Sequence, residues 1–129
     1  MANVFAFAET RGGELRKVGL EAVTAARQVA DATGGGEVHA LVAGASVQGL
    51  APKLGEVGAD VVLAVEHAAL AQYNAEAVAA TVAERIRAGG YRAAIFAASA
   101  QGRDLAPRVA AKLRVGLASD AVALEVQGD

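Results

Sequence analysis

With 129 residues, of which 54% are hydrophobic, the chain has the length and composition of one globular domain, which excludes a disordered segment. The formal net charge of −2 gives no general attraction to nucleic acid or to an anionic membrane surface. The absence of cysteine excludes disulfides, thiolate nucleophiles and cysteine metal sites, and it fits a reducing cytoplasm.

Short apolar runs alternate with helical patterns along the chain. The runs predicted as strands are Val4–Ala8, Val38–Ala43, Val61–Val65, Ala93–Ala98 and Ala121–Val126. The segments predicted as helices are Leu15–Thr33, Gly49–Val57, a helix with Asn74 as N-cap that closes at Gly89–Gly90, and a helix from about Asp104 to Leu113.

This alternation predicts an α/β fold, a single domain over residues 1–129 with a doubly wound, Rossmann-like parallel sheet of five strands and helices on both faces. Right-handed crossovers favour the strand order 3-2-1-4-5. The switch point then lies between the first and fourth strands, where we expect a crevice lined by Glu9–Gly13 and Ser99–Asp104. Pro107 favours a helix start near Asp104, with Arg103 in the loop before it and free to point across the crevice.

The motifs that carry chemistry in such folds are missing. The residues after the first strand are AETRGG rather than G-x-G-x-x-G, and no P-loop is present. His39 and His67 lack the spacing of metal ligands, so structural or surface roles and no metal site are expected. Ser99 and Ser119 lack a G-x-S-x-G surrounding, which favours turn or cap roles. No catalytic residue and no cofactor-binding residue is therefore expected.

Charged residues beside the expected crevice have three possible roles. Arg103 could form a local salt bridge, contact a partner subunit, or bind a phosphate, and Glu9 and Arg11 admit the same alternatives. The residues that we take as candidates for an interface are Glu9, Arg11, Gln101, Arg103 and Arg108.

Three stretches resemble the α subunit of electron-transfer flavoproteins. They are GRDLAPRVAAKL at Gly102–Leu113, GLASD at Gly116–Asp120, and VFAFAETRGGELRKVGLEAV at Val4–Val23. The resemblance extends over essentially the whole chain and is to the N-terminal domain of that subunit. The FAD-binding fold of the family lies in a second, C-terminal domain, which we expect to be absent from this chain.

The resemblance implies a scaffold and subunit-interface domain in a cytoplasmic electron carrier. In the family, the α subunit pairs with an electron-transfer flavoprotein β subunit of similar fold, and the complete α/β protein carries FAD. It takes electrons from acyl-CoA or other dehydrogenases and passes them to a quinone-linked acceptor. An adenine nucleotide, AMP or a second FAD in bifurcating relatives, usually belongs to the β subunit. Neither a nucleic-acid partner nor a membrane is implied.

A free-standing adenine-nucleotide module of the universal-stress-protein type is the alternative. Such modules carry G-x-x-G, nine residues, then G-[ST] after the fourth strand, and Gly102 and Gly116 have the wrong separation for it. A hydrolase of related topology fits less well. In the expected strand order Ala121–Val126 is an edge strand, so we expect the isolated chain to self-associate through it or through the vacant β-subunit surface.

Overall fold

The computed structural model describes residues 3–115, 117–118 and 123–125. The strands are β1 Val4–Phe7, β2 Thr10–Arg11, β3 Glu14–Leu15, β4 Val38–Gly44, β5 Val61–Glu66, β6 Ala93–Ile95, β7 Leu117–Ala118 and β8 Ala123–Glu125. The helices are α1 Lys17–Ala32, α2 Ala51–Glu56, α3 Ala75–Gly89 and α4 Ala100–Leu113, and short 3₁₀ helices span Gln48–Leu50 and Ala68–Leu70.

The main sheet has the order β5-β4-β1-β6-β8-β7 in the described part of the chain. Its first four strands are parallel, and their order confirms the predicted arrangement of the first four strands of the doubly wound fold. Because the sheet alternates its side chains between two faces, β1 serves two cores. Phe5 and Phe7 pack with α3 and α4, while Val4 and Ala6 pack with α1. Helices therefore cover both faces, as predicted.

The prediction of a fifth parallel strand at the edge is wrong. Residues 123–125 form β8, which pairs antiparallel with β6 on one side and with β7 on the other. Strand β7 therefore runs parallel to β6 but is not its neighbour. The antiparallel strand β8 lies between them, and β7 is the edge strand. The remaining residues of the predicted strand, Ala121, Val122 and Val126, lie outside the described part of the chain, as does Ser119 with its expected turn or cap role.

The start of α4 also differs from the prediction. The helix begins at Ala100 and has Ser99 as N-cap, whose Oγ accepts a hydrogen bond from the Gly102 N–H at 3.0 Å. Asp104 is therefore not the cap, and Pro107 lies inside the helix rather than in its first turn. The cap role expected for Ser99 is confirmed. As predicted, Leu105 and Val109 are buried while Arg108 and Lys112 are exposed.

Candidate functional site

The crevice lies where the parallel strands end, at the switch point between β1 and β6. It has a volume of about 1020 Å³, and its lining includes Glu9, Thr10, Arg11 and Gly12 after β1 and Ser99, Ala100, Gln101 and Asp104 after β6. The expected crevice is thus confirmed for most of its residues. Phe7 and Val78 contribute an apolar floor, and the segment Leu70–Tyr73 forms a further wall.

A small hairpin shapes the rim of the crevice. β2 and β3 pair antiparallel, with Arg11 opposite Glu14, and Gly12 and Gly13 form the two-residue turn with φ of 61° and 83°. Two successive positive φ values are what a type I′ turn requires, and they favour glycine at both positions. The hairpin turns the chain back on itself, so that the Arg16 N–H donates to the Glu9 carbonyl oxygen at 3.0 Å.

Glu9 is the centre of the crevice and its side chain is only 1% exposed. Its Oε2 accepts a hydrogen bond from Arg16 Nη1 at 2.6 Å, and its Oε1 accepts one from Ser99 Oγ at 2.5 Å. A buried carboxylate is stable only when its charge is paired and its oxygens are bonded, and these two partners meet both needs. Glu9 therefore connects the end of β1 to the start of α4.

A second group of polar side chains joins the segment Leu70–Tyr73 to α4. Tyr73 Oη donates to Asp104 Oδ2 at 2.9 Å, and Arg108 Nε lies 3.4 Å from Asp104 Oδ1. Arg108 Nη1 also donates to Glu76 Oε1 at 2.7 Å, which connects α4 to α3. Partial burial raises the pKa of Tyr73, and the hydrogen bond to the Asp104 carboxylate raises it further. The hydrogen bond to Glu76 and the nearby Asp104 raise the pKa of Arg108.

The five interface candidates have different positions. Glu9, Arg11 and Gln101 line the crevice. Arg103 does not lie in a loop and does not line the crevice; it is exposed in the first turn of α4, because the helix starts earlier than predicted. Arg108 is exposed on the same helix and bridges to α3. Sequence reasoning missed two residues of the site, Arg16 and Tyr73.

Both histidines have structural roles, as expected. His39 Nδ1 lies 2.8 Å from the Tyr91 hydroxyl, and its Nε2 lies 3.0 Å from Glu37 Oε1. His67 Nδ1 accepts a hydrogen bond from the Ala69 N–H at 3.0 Å and caps the short helix Ala68–Leu70. No cluster of potential metal ligands occurs among the described residues, and no helix in that part of the chain is long and apolar enough to cross a membrane.

The family described as "Electron transfer flavoprotein domain" matches residues 4–129 of this sequence. The chain therefore belongs to the electron transfer flavoprotein domain family, whose members are electron carriers. It is 40% identical over 126 residues to the electron transfer flavoprotein subunit alpha of Syntrophomonas wolfei, with 98% of this chain and 38% of the relative covered. For the subunit alpha of Bacillus subtilis the identity is 38%, with 97% and 38% covered.

A relative with a more specific name is the acryloyl-CoA reductase electron transfer subunit beta of Anaerotignum propionicum, 32% identical with 96% of this chain and 34% of the relative covered. The chain spans less than two-fifths of the length of each of these relatives. It is an electron-transfer flavoprotein subunit domain of the α type, and the universal-stress-protein alternative is not favoured.

The complete proteins of this family bind FAD, and the described crevice lacks the glycine-rich loop that is typical of a dinucleotide site. A free helix N-terminus with glycine amides is a common site for a nucleotide phosphate. Here the Gly102 N–H is bonded to Ser99 Oγ, and the lack of a side chain at Gly102 serves packing, because a Cβ there would overlap the Ala97 carbonyl oxygen. Glu9, which also lines the crevice, is paired with Arg16 within the chain.

Proposed function

We propose that this chain, as one α/β domain over residues 1–129, is the scaffold and subunit-interface domain of an electron-transfer flavoprotein. It pairs with the electron-transfer flavoprotein β subunit as a heterodimer and has no catalytic or cofactor-binding residue of its own. The complete α/β protein uses FAD to carry electrons from acyl-CoA or other dehydrogenases to a quinone-linked acceptor. A cytoplasmic location and self-association of the isolated chain through the vacant β-subunit surface remain predictions.

The observation that carries this proposal is that the carboxylates lining the crevice are hydrogen-bonded to other side chains of the same chain. Glu9 is bonded to Arg16 and Ser99, and Asp104 to Tyr73 and Arg108, so these carboxylates are already partnered within the chain. The bonds from Glu9 to Arg16 and Ser99 and from Asp104 to Tyr73 connect one element of the fold to another, which is what a scaffold requires. Together with the family match over residues 4–129, this supports a scaffold rather than a reaction centre.

Charged residues with no side-chain partner in the described part of the chain are the best candidates for contact with the β subunit. Arg11 on the crevice rim and Arg103 on α4 have this property, whereas Arg108 is held by Asp104 and Glu76. Exposed charges mainly set association rate and specificity when they meet an opposite charge on a partner. We therefore assign contact with the β subunit to Arg11 and Arg103, and structural support to Arg108.

The test is charge reversal in the α/β protein to which this chain contributes its domain. Arg11→Glu and Arg103→Glu should each weaken assembly with the β subunit about tenfold in sedimentation experiments, with an unchanged melting temperature of the isolated chain. Lys53→Glu, an exposed reversal on α2 at the opposite face, is the control and should assemble normally. Normal assembly of both variants, with loss of flavin reduction instead, would show that the assignment is wrong.

A further inference from the structure

The strand β5 is an open edge of the main sheet. It pairs with β4 alone among the described residues. Because the peptide groups of a strand point alternately to its two sides, every second N–H and C=O of Val61–Glu66 faces away from β4. Folded proteins usually protect such an edge with lysine, proline or an inward charge. The sequence of β5, VVLAVE, contains neither lysine nor proline.

The two carboxylates that flank this edge are held elsewhere. Glu66 Oε2 accepts hydrogen bonds from the Val47 and Gln48 N–H groups at 2.7 and 3.0 Å. Asp60 Oδ2 accepts from the Val38 N–H at 2.8 Å and from Arg27 Nη1 at 2.8 Å. Both side chains are thus bonded to β4, α1 or the segment after β4.

An apolar groove runs beside the same edge. It has a volume of about 640 Å³ and lies between β5 and α3. Leu63 and Val65 form its floor and are only partly buried, while Thr81 and Ala88 of α3 contribute the facing wall. The rim carries the adjacent and opposite charges of Glu84 and Arg85. The groove is therefore apolar and has little net charge.

The groove is small enough to favour a single extended segment over a second folded domain as its binding partner. A stable dimer needs about 20–30 residues from each side, whereas nine residues line this groove. A single extended segment needs far less area, because main-chain hydrogen bonds to the edge supply affinity and alternate side chains enter the groove. We propose that β5 is a strand-addition site that binds an extended, nearly uncharged segment of a partner protein with an aliphatic residue at every second position.

A blocked peptide that alternates valine and threonine over six residues is the probe, and amide hydrogen exchange of the whole chain is the measurement. At millimolar peptide we expect saturable binding that slows exchange in Val61–Glu66 and leaves the crevice residues unchanged. The same peptide with every amide N-methylated cannot donate a hydrogen bond to the edge from either side and should give no slowing. Absence of slowing with the unmodified peptide would overturn the proposal.

A matched pair of variants locates the site. Ala64 lies exposed on β5 beside the groove, so Ala64→Lys should weaken peptide binding at least tenfold. Ala80→Lys adds the same charge at an exposed α3 position outside the groove lining and should bind as the unchanged chain does. Equal binding by both variants would place the peptide elsewhere and overturn the proposal. A concentration-dependent dimer that protects β5 without peptide would make a second copy the occupant and also overturn the proposal.

Discussion

Glu9 is the residue on which the geometry of the crevice depends most, because it is the buried charge that connects β1, the hairpin and α4. Glu9→Gln keeps the shape of the side chain but removes the charge that pairs with Arg16. Leaving buried polar groups without their partners costs about 1–3 kcal/mol, so we expect the free energy of unfolding to fall by about 2 kcal/mol in chemical denaturation. Glu14→Gln, at an exposed hairpin position, should change it by less than about 0.5 kcal/mol. Equal losses would show that the Glu9 network adds nothing.

Tyr73 gives a pH-dependent test of its contact with Asp104 on α4. Its pKa lies above the ordinary value of 10.0 because of partial burial and the Asp104 carboxylate. The folded chain therefore holds this proton at a pH where the unfolded chain has lost it, and the contribution to stability declines as pH rises above about 10. The tyrosinate absorbance that Tyr73→Phe removes should appear above that pH, and at a lower pH in Asp104→Asn. A Tyr73 transition at 10 or below, unchanged by Asp104→Asn, would contradict the contact.

The residues of the site were only partly predictable, for a physical reason. Glu9, Arg11 and Gln101 come shortly after predicted strands. The topology alone brings them to the carboxyl edge of the sheet. Arg16 was missed because its position depends on the turn at Gly12 and Gly13, which returns the chain to Glu9. The two adjacent glycines were a usable signal for that hairpin. Tyr73 lies in an irregular segment after β5, which no periodic pattern locates.

At the scale of the element, the start of α4 is determined by the N-cap residue Ser99 and not by the position of Pro107. Proline is common in the first turn of a helix, so Pro107 favoured a start near Asp104. The helix nevertheless begins at Ala100, since Ser99 is itself a preferred N-cap residue and bonds both Glu9 and Gly102. The early start places Gly102 against the end of β6, where only a residue without a side chain fits.

Gly102 and Gly55 form a matched pair of helical glycines that tests this close approach. A Cβ at Gly102 would overlap the Ala97 carbonyl oxygen, whereas a Cβ at Gly55 in α2 meets nothing within 4 Å. Gly102→Ala should lower the free energy of unfolding by about 1–3 kcal/mol through overpacking. Gly55→Ala should raise it by about 0.5–1 kcal/mol, because alanine loses less backbone entropy in a helix. Chemical denaturation of both variants measures this, and a stabilising Gly102→Ala would refute the packing of α4 on β6.

At the scale of the whole molecule, the order of the four parallel strands β5, β4, β1 and β6 was predictable from the sequence. The arrangement of β7 and β8 was not. Apolar runs alternating with helices fix the order of β5, β4, β1 and β6 through right-handed crossovers. The path after α4 depends on β7, a strand of two residues that is too short to give a pattern. This short strand takes the direction expected of the fifth strand, and β8 then returns antiparallel beside β6. Of the expected open edge, the described residues 123–125 lie inside the sheet, between β6 and β7, and β5 is an edge of the described sheet at its other end.

The central claim is that the crevice belongs to an assembly domain and not to a nucleotide site. Calorimetric titration of the isolated chain, first with FAD and AMP and then with the electron-transfer flavoprotein β subunit, tests it directly. We expect no measurable heat from either nucleotide, because the crevice has no glycine-rich phosphate loop and the Gly102 amide at the start of α4 is bonded to Ser99. The β subunit should bind at a one-to-one ratio. A micromolar dissociation constant for either nucleotide, with no binding of the β subunit, would contradict the account.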